Sequence, residues 1–332
     1  MTVSIGGSGV SRRAASRYAT VMILLVAFIP APTPAPVSAG LQSRIDAASA
    51  GTTLNLTGLT FNGGGTVNKA LTILGGTIYN ASGTSGLKIT ASNVTVDGVT
   101  VVGPHAAPLD VTENGIWATG TDAAHLTNIA VRNSTISMQG GQGVFLQNVD
   151  TFTVYHNTIT DIRYAGIRGR VVSNGTINQN TVERLDMGGA AGDNAWNIIV
   201  EDFHVVGVHS HDVVVADNVI TDNPWWHGLD THGGTSISFL RNTVRRVRCG
   251  IFLTNGGDDA RNLVVTGNQI LSPYPVTLNV FPITTYAVVG ATFTGNTISG
   301  WGAASPPATA PWSDHLGLST GLVNGGGNLV TP

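Results

Sequence analysis

The sequence predicts an all-β fold, a parallel β-helix in which short strands wind into about 9–10 stacked coils behind a short N-terminal helix. Three observations predict it. Of 332 residues, 43 are Gly and only 11% are charged, while 42% are hydrophobic. That balance suits neither a helical nor a disordered chain. A six-residue pattern recurs along the chain: apolar, two variable residues, a small polar residue or Gly, one variable residue, then Ile or Val. Its copies begin at Ile73, Val94, Val131, Val154, Ile177, Val215, Phe239, Val265 and Phe293. Finally, the fourth position becomes Asn at 157, 180, 218, 242, 268 and 296, after Gly76, Asp97 and Ser134. An Asn there suits a left-handed bend, and stacked Asn side chains can hydrogen-bond from coil to coil.

In chain order, residues 1–39 read as a secretory signal peptide. Arg12, Arg13 and Arg17 form its basic end, Tyr18 to Ile29 its apolar run, and Val37-Ser38-Ala39 its cleavage site. The apolar run is too short to remain as a membrane anchor, so the expected location is secreted, extracellular. Residues 40–332 read as a single β-helix domain. Leu41 to Ala50 form its cap, with Leu41, Ile45 and Ala48 on one helical face and Gly51 as the stop. Such a cap hides an open sheet edge that would otherwise pair with another chain. Cap and coils together resemble the right-handed parallel β-helix superfamily that contains pectate lyases. That resemblance implies the handedness and leaves the function open, because the architecture hosts lyases, hydrolases, epimerases, phage spikes and adhesins.

A second strand recurs in each coil, starting with Gly and a branched apolar residue at Gly115, Gly143, Gly166, Gly228 and Gly250. Alternation sends Trp117, Phe145, Arg168, Asp230 and Phe252 into one outer row. Thr119, Gln147, Arg170, His232 and Thr254 fall into the next row. The strand near Trp196 can begin at Asn197 or at Gly207.

The polar chemistry is concentrated. The stretch from Asp193 to His232 holds seven of the nineteen acids, including Glu201, Asp202, Asp212, Asp217 and Asp222, and five of the nine histidines. Trp196, Trp225 and Trp226, half the tryptophans, lie there too. Within it, His227-Gly228-Leu229-Asp230-Thr231-His232 puts Asp230 and His232 on one face of a strand, where a carboxylate can orient an imidazole. This stretch resembles the Tyr-Gly-x-Asp-Pro-His signature of mannuronan C5-epimerases, with His227 in place of Tyr and Thr231 in place of Pro. The resemblance implies an Asp from the next coil, where this chain offers Thr254 or Asn255.

Uronan lyases and epimerases both begin by removing the C5 proton beside a carboxylate. Lys69 and Lys88, the only lysines, lie far upstream, which leaves His227 or His232 as base. Arg168 or Arg170 would grip the substrate carboxylate, and Trp225 and Trp226 would stack on sugar rings. The expected function is therefore C5-proton abstraction on a uronate-containing polysaccharide, with Asp230, His232 and His227 catalytic. Two alternatives stay open. One is a glycoside hydrolase pairing Asp230 with Glu201 or Asp202; the other is a non-catalytic carbohydrate-binding or surface protein.

No cofactor is required by the sequence. Asp258 and Asp259 after two glycines could take Ca2+, and His209 and His211 alternate as zinc ligands do, without a third placed partner. Trp117, Phe145 and Phe252 could serve packing alone, and Arg245, Arg246 and Arg248 read as a solvated turn. A net charge of −3 excludes a nucleic-acid partner. The expected partner is a polysaccharide, bound by a monomer with no stable membrane anchor. Cys249, the one cysteine, reads as a core filler.

Overall fold

A computed structural model describes residues 40–104, 110–185, 195–202, 209–256, 260–273, 280–306 and 309–331. Residues 1–39, where the sequence reading puts a signal peptide, lie outside the described residues, as do His204, Gly207, Asp193 and the Asp258–Asp259 pair. The described residues belong to one compact unit, 35–332, and among them no helix is long and apolar enough to cross a membrane.

A seven-residue helix, Leu41–Ala47, is the first element of the described residues, with Leu41 and Ile45 buried against the first coil. It ends at an extended Ala48, short of the Gly51 stop the sequence suggests. Gly51, at φ +81, makes the following turn instead.

Behind the helix, every described strand pairs in parallel with its counterpart one coil away. Three such stacks run the length of the chain. The sheet that carries the site runs from Gly65–Val67 to Ser313–Asp314 through strands that include Gln142–Tyr155, Ala165–Asn178, Trp196–Glu201, Val219–His232 and Thr243–Thr254. A second runs from Thr52–Asn55 to Thr320–Gly326, and a third from Thr60–Asn62 to Leu329–Thr331. The strands alternate in burial, as in Leu71–Leu74 and Val94–Asp97. The inward rows of Val, Ile and Leu merge into one continuous core. Each coil leaves its apolar side open until its neighbours cover it, so the core exists only as a stack.

The chain winds beyond the hexads at its C-terminal end. There the register shifts between Phe293 and Thr294, where the final coil carries one extra residue that breaks the spacing. At the other end the sequence register is off by two residues. Val131 pairs with Val96, so Val99, and not Asp97, occupies the fourth position of its coil.

That position is the spine of the fold. Asn157, Asn180, Asn218, Asn242, Asn268, Asn296 and Asn328 form a ladder, buried as far as Asn296, each Nδ2 donating to the next Oδ1 at 2.9–3.0 Å. Each Oδ1 from Asn180 onward also accepts the preceding ladder residue's backbone N–H. The left-handed bend falls one residue earlier than the sequence suggests, at His156, Gln179, Asp217 and Arg241 (φ 54, 54, 57 and 52). These residues make the turn, and the Asn behind each one reaches back into the core.

The strands of the site sheet begin with Gly because adjacent coils touch there. A β-carbon at Gly166 would lie 2.6 Å from the Asn197 carbonyl oxygen and 2.2 Å from Val182 Cγ1. Gly166→Ala is expected to destabilise the fold by about 1–3 kcal/mol through overpacking, measured by thermal unfolding followed by circular dichroism.

Candidate active site

The ambiguous strand resolves in favour of Asn197. Trp196–Glu201 inserts between Ala165–Asn178 and Val219–His232, placing Ile199 between Arg168 and Asp230, and Glu201 between Arg170 and His232. The two outer rows therefore hold as the alternation predicts. A third row joins them from the start of the strands: Ala165, Trp196, His227, Cys249 and Phe281.

At the centre is Asp230. The row order aims it outward, yet neighbouring rings cover it completely, and it is 0% exposed. Oδ2 meets Nδ1 of His227 in a very short contact, and Oδ1 lies 3.4 Å from Nε2 of His232. His227 is also buried, stacked between Trp226 at 4.3 Å and Phe252 at 4.4 Å between ring centroids. The sequence places Asp230 and His232 on the outer face, yet Asp230 is buried together with His227. His232 keeps a side-chain exposure of 17%, with Trp196 and Phe252 edge-on to its ring.

Charge follows from this packing. Burial opposes ionisation of Asp230, but the two imidazoles outweigh it and hold the carboxyl below its ordinary value. Burial wins at His227, which is pushed below the histidine range despite Asp230 and is neutral. At His232 burial again acts against charge, yet Asp230, helped by Glu201, raises it above that range. Asp230 thus favours charge on both imidazoles, and burial overrides it only at His227.

Arg168 does not stand ready for a substrate carboxylate. Its Nε donates to Glu201 Oε1 at 2.8 Å and its Nη2 donates to the same oxygen. Its guanidinium lies 5.1 Å from the Phe145 ring centre and 5.3 Å from that of Tyr164. Glu201 is 2% exposed, so the pair is a buried strut. Removing Arg168 would strand a buried carboxylate beside His232, at a cost in stability that a pure substrate ligand would not show.

Asp202 is likewise structural in its contacts: Oδ1 accepts the Ser210 N–H at 2.5 Å and Oδ2 faces His209 Nδ1 at 3.0 Å. Burial raises its carboxyl above the usual value. The three carboxylates proposed for a hydrolytic pair are all buried. Among the described residues no group of three His, Cys, Asp or Glu side chains is placed to hold a metal. His211 Nδ1 turns to Asp212 at 2.8 Å.

Trp225 and Trp226 sit on a bulge, where the register between Val219–His232 and Thr243–Thr254 shifts between Asn223 and His227. The sequence reading missed Asn223, which builds this bulge. Its Oδ1 accepts the N–H groups of both tryptophans, and its Nδ2 donates to the Ala195 and His227 carbonyls and to Asn197 Oδ1. The available signal is Asn-Pro at 223–224 before paired aromatics, a turn dipeptide inside a strand pattern. Arg248 was also missed. Instead of joining a solvated turn it lies over Trp226, 4.9 Å from the ring centre, and donates to the Trp225 carbonyl at 3.1 Å. Thr254 stacks on His232 in the next coil and is buried. Cys249 is buried under His227 with its thiol pushed up to about 12, an inert filler. Arg170 lies half-buried one coil before Glu201.

The stacked parallel coils define the architectural class, and comparison places the chain within it. The sequence matches the family described as right handed beta helix region over residues 57–210 and 114–298, and the chain belongs to that family. No curated protein sequence matches the chain. Among solved structures it is similar to the A-module of mannuronan C-5 epimerase AlgE4 from Azotobacter vinelandii. The identity is 16% and the TM-score 0.60, over 82% of this chain and 76% of that one. It is also similar to the catalytic domain of a GH87 α-1,3-glucanase in complex with nigerose, at 12% identity and TM-score 0.52, over 90% and 70%. At these identities the likeness is one of fold.

Proposed function

We propose that the protein is a carbohydrate-active enzyme that abstracts the C5 proton of a uronate-containing polysaccharide, as a lyase or C5-epimerase. One observation carries the proposal: a buried carboxylate, Asp230, clasps two imidazoles and leaves only His232 reachable from solvent. His232 is the base. Asp230 Oδ1 lies beside its Nε2 at 3.4 Å and orients the ring. His227, neutral and enclosed, is a positioning residue that fixes Asp230 from the other side. The imidazolium formed at His232 is then stabilised by Asp230 and Glu201, and in the neutral-to-cationic change the site gains no unpaired charge.

The hydrolytic alternative needs an acid and a base that both reach the sugar. Asp230, Glu201 and Asp202 are buried and engaged, which favours proton transfer by imidazole over paired carboxylates.

The elevated His232 pKa has a sign that can be checked. A base works in its neutral form, so activity should fall as pH drops through that raised value. Asp230→Asn removes the charge that raises it, so the acid limb of the pH–rate profile should move to lower pH. A limb that stays in place would remove His232 from the titrating step.

To identify the substrate, the protein is incubated with alginate, pectate, glycosaminoglycans and neutral glucans. Ultraviolet absorbance from an unsaturated uronate marks a lyase, and solvent deuterium at C5 without cleavage marks an epimerase. New reducing ends without either would replace this proposal with hydrolysis.

A further inference from the structure

The outer row that holds Asp230 continues toward the N-terminal end, and its far members form a second feature. Lys88, Trp117, Phe145 and Arg168 are stacked in register, one per coil. Trp117 and Phe145 stack at 6.1 Å between centroids, and the Lys88 ammonium rests over the Trp117 ring, 4.5 Å from its centre.

Three properties separate Lys88 from the other cations. It is one of two lysines in a chain of low charge; the other, Lys69, is spent on the Asp46 and Ala48 carbonyls of the cap. Its ammonium makes no ion pair or hydrogen bond among the described residues, only the ring contact. It also faces an open cleft of about 350 Å³ whose wall carries Gln42, Thr66, Thr84, Ser85 and Thr112. Gly64, Gly65 and Gly83 leave that wall without bulk. At Gly64 even a β-carbon would fall 1.9 Å from the Ser85 carbonyl oxygen. An unpaired cation held on an aromatic face, with hydroxyl and amide groups around it, matches an anionic sugar: charge for the carboxylate, hydrogen-bonding groups for the ring hydroxyls.

We infer that Lys88, positioned by Trp117, is a distal subsite for a uronate residue of the polymer whose reacting residue lies at His232. The inference rests on the proposed function. Lys88 is five rungs from Asp230 along the row, about 24 Å at ~4.8 Å per rung. Only a long chain can reach both places, so the subsite makes a length-dependent contribution.

The test compares Lys88→Met, which keeps the stem and loses the charge, with Lys88→Arg, which keeps it. On a polyuronate, Lys88→Met is expected to raise KM roughly two- to fivefold, the upper scale of one exposed charge contact, with kcat unchanged. On a trisaccharide of the same uronate both constants should match wild type, and Lys88→Arg should restore the polymer KM. An unchanged polymer KM in Lys88→Met overturns the inference while leaving the His232 assignment standing. If the wild type acts on no uronan, affinity electrophoresis through polyuronate-containing gels decides the subsite separately. Retardation lost in Lys88→Met and kept in Lys88→Arg supports it; equal mobility of wild type and Lys88→Met overturns it.

Discussion

Asp230→Asn and His232→Ala are each expected to lower turnover by roughly 10²- to 10⁴-fold, the usual scale for a group that transfers a proton. His232 loses the base outright. Asp230→Asn keeps the shape and an oxygen for His227 but removes the charge that orients and polarises His232. Because the two act as one unit, the double variant should be scarcely slower than either single one. Stability separates this account from a structural one. Asp230→Ala leaves the enclosed His227 Nδ1 without its acceptor, and a buried orphan of that kind costs about 1–3 kcal/mol. Asp230→Asn retains that contact and should unfold close to wild type. Steady-state kinetics beside thermal unfolding of wild type and the four variants checks both statements. Multiplicative losses in the double variant would mean that Asp230 and His232 act independently.

The largest effect on stability is expected at the Asn ladder. The Asn218 side chain accepts the Asn180 N–H through Oδ1 and donates to the Ile177 carbonyl through Nδ2, besides its rungs to Asn180 and Asn242. Asn218→Leu orphans two buried backbone groups and adds volume, a loss of about 2–6 kcal/mol, against a total stability of about 5–15 kcal/mol. Asn324→Leu is the comparison. Asn324 braces the exposed end of the ladder, accepting from Asn328 Nδ2 and the Gly326 N–H, so its replacement should cost about 1 kcal/mol or less. Denaturant unfolding measures both, and equal losses would show that the ladder carries no special share of the fold.

The ladder and the site differ in how far the sequence reveals them. Asn157 through Asn296 are legible because a solenoid repeats one local solution, so spacing alone exposes the turn and the rows. The outer rows through Arg168, Asp230 and His232 follow from the same period combined with the two-residue alternation of a strand. What escapes is set by contacts across coils. The enclosure of His227 involves Trp226 and Phe252 on either side of its ring, and Trp226 is held there by Asn223, which accepts its N–H at a bulge in the strand. Glu201 and Arg168 are thirty-three residues apart, and their pairing follows from a register that Asn197, standing where other coils use Gly, conceals. The shifted hexad at Val94 has the same cause. A pattern of two apolar residues fits at two neighbouring offsets, and only the pairing of Val96 with Val131 chooses between them.

The central claim is that His232, governed by Asp230, removes the C5 proton of a uronate within a polymer. Solvent deuterium exchange tests it most directly: the protein is incubated with polyuronates in heavy water, and the sugar C5 position is read by NMR alongside ultraviolet absorbance. Wild type is expected to place deuterium at C5 or to generate unsaturated ends on at least one polyuronate, and His232→Ala to do neither while remaining folded. Equal exchange or elimination by His232→Ala, or chain cleavage with C5 untouched, would contradict it.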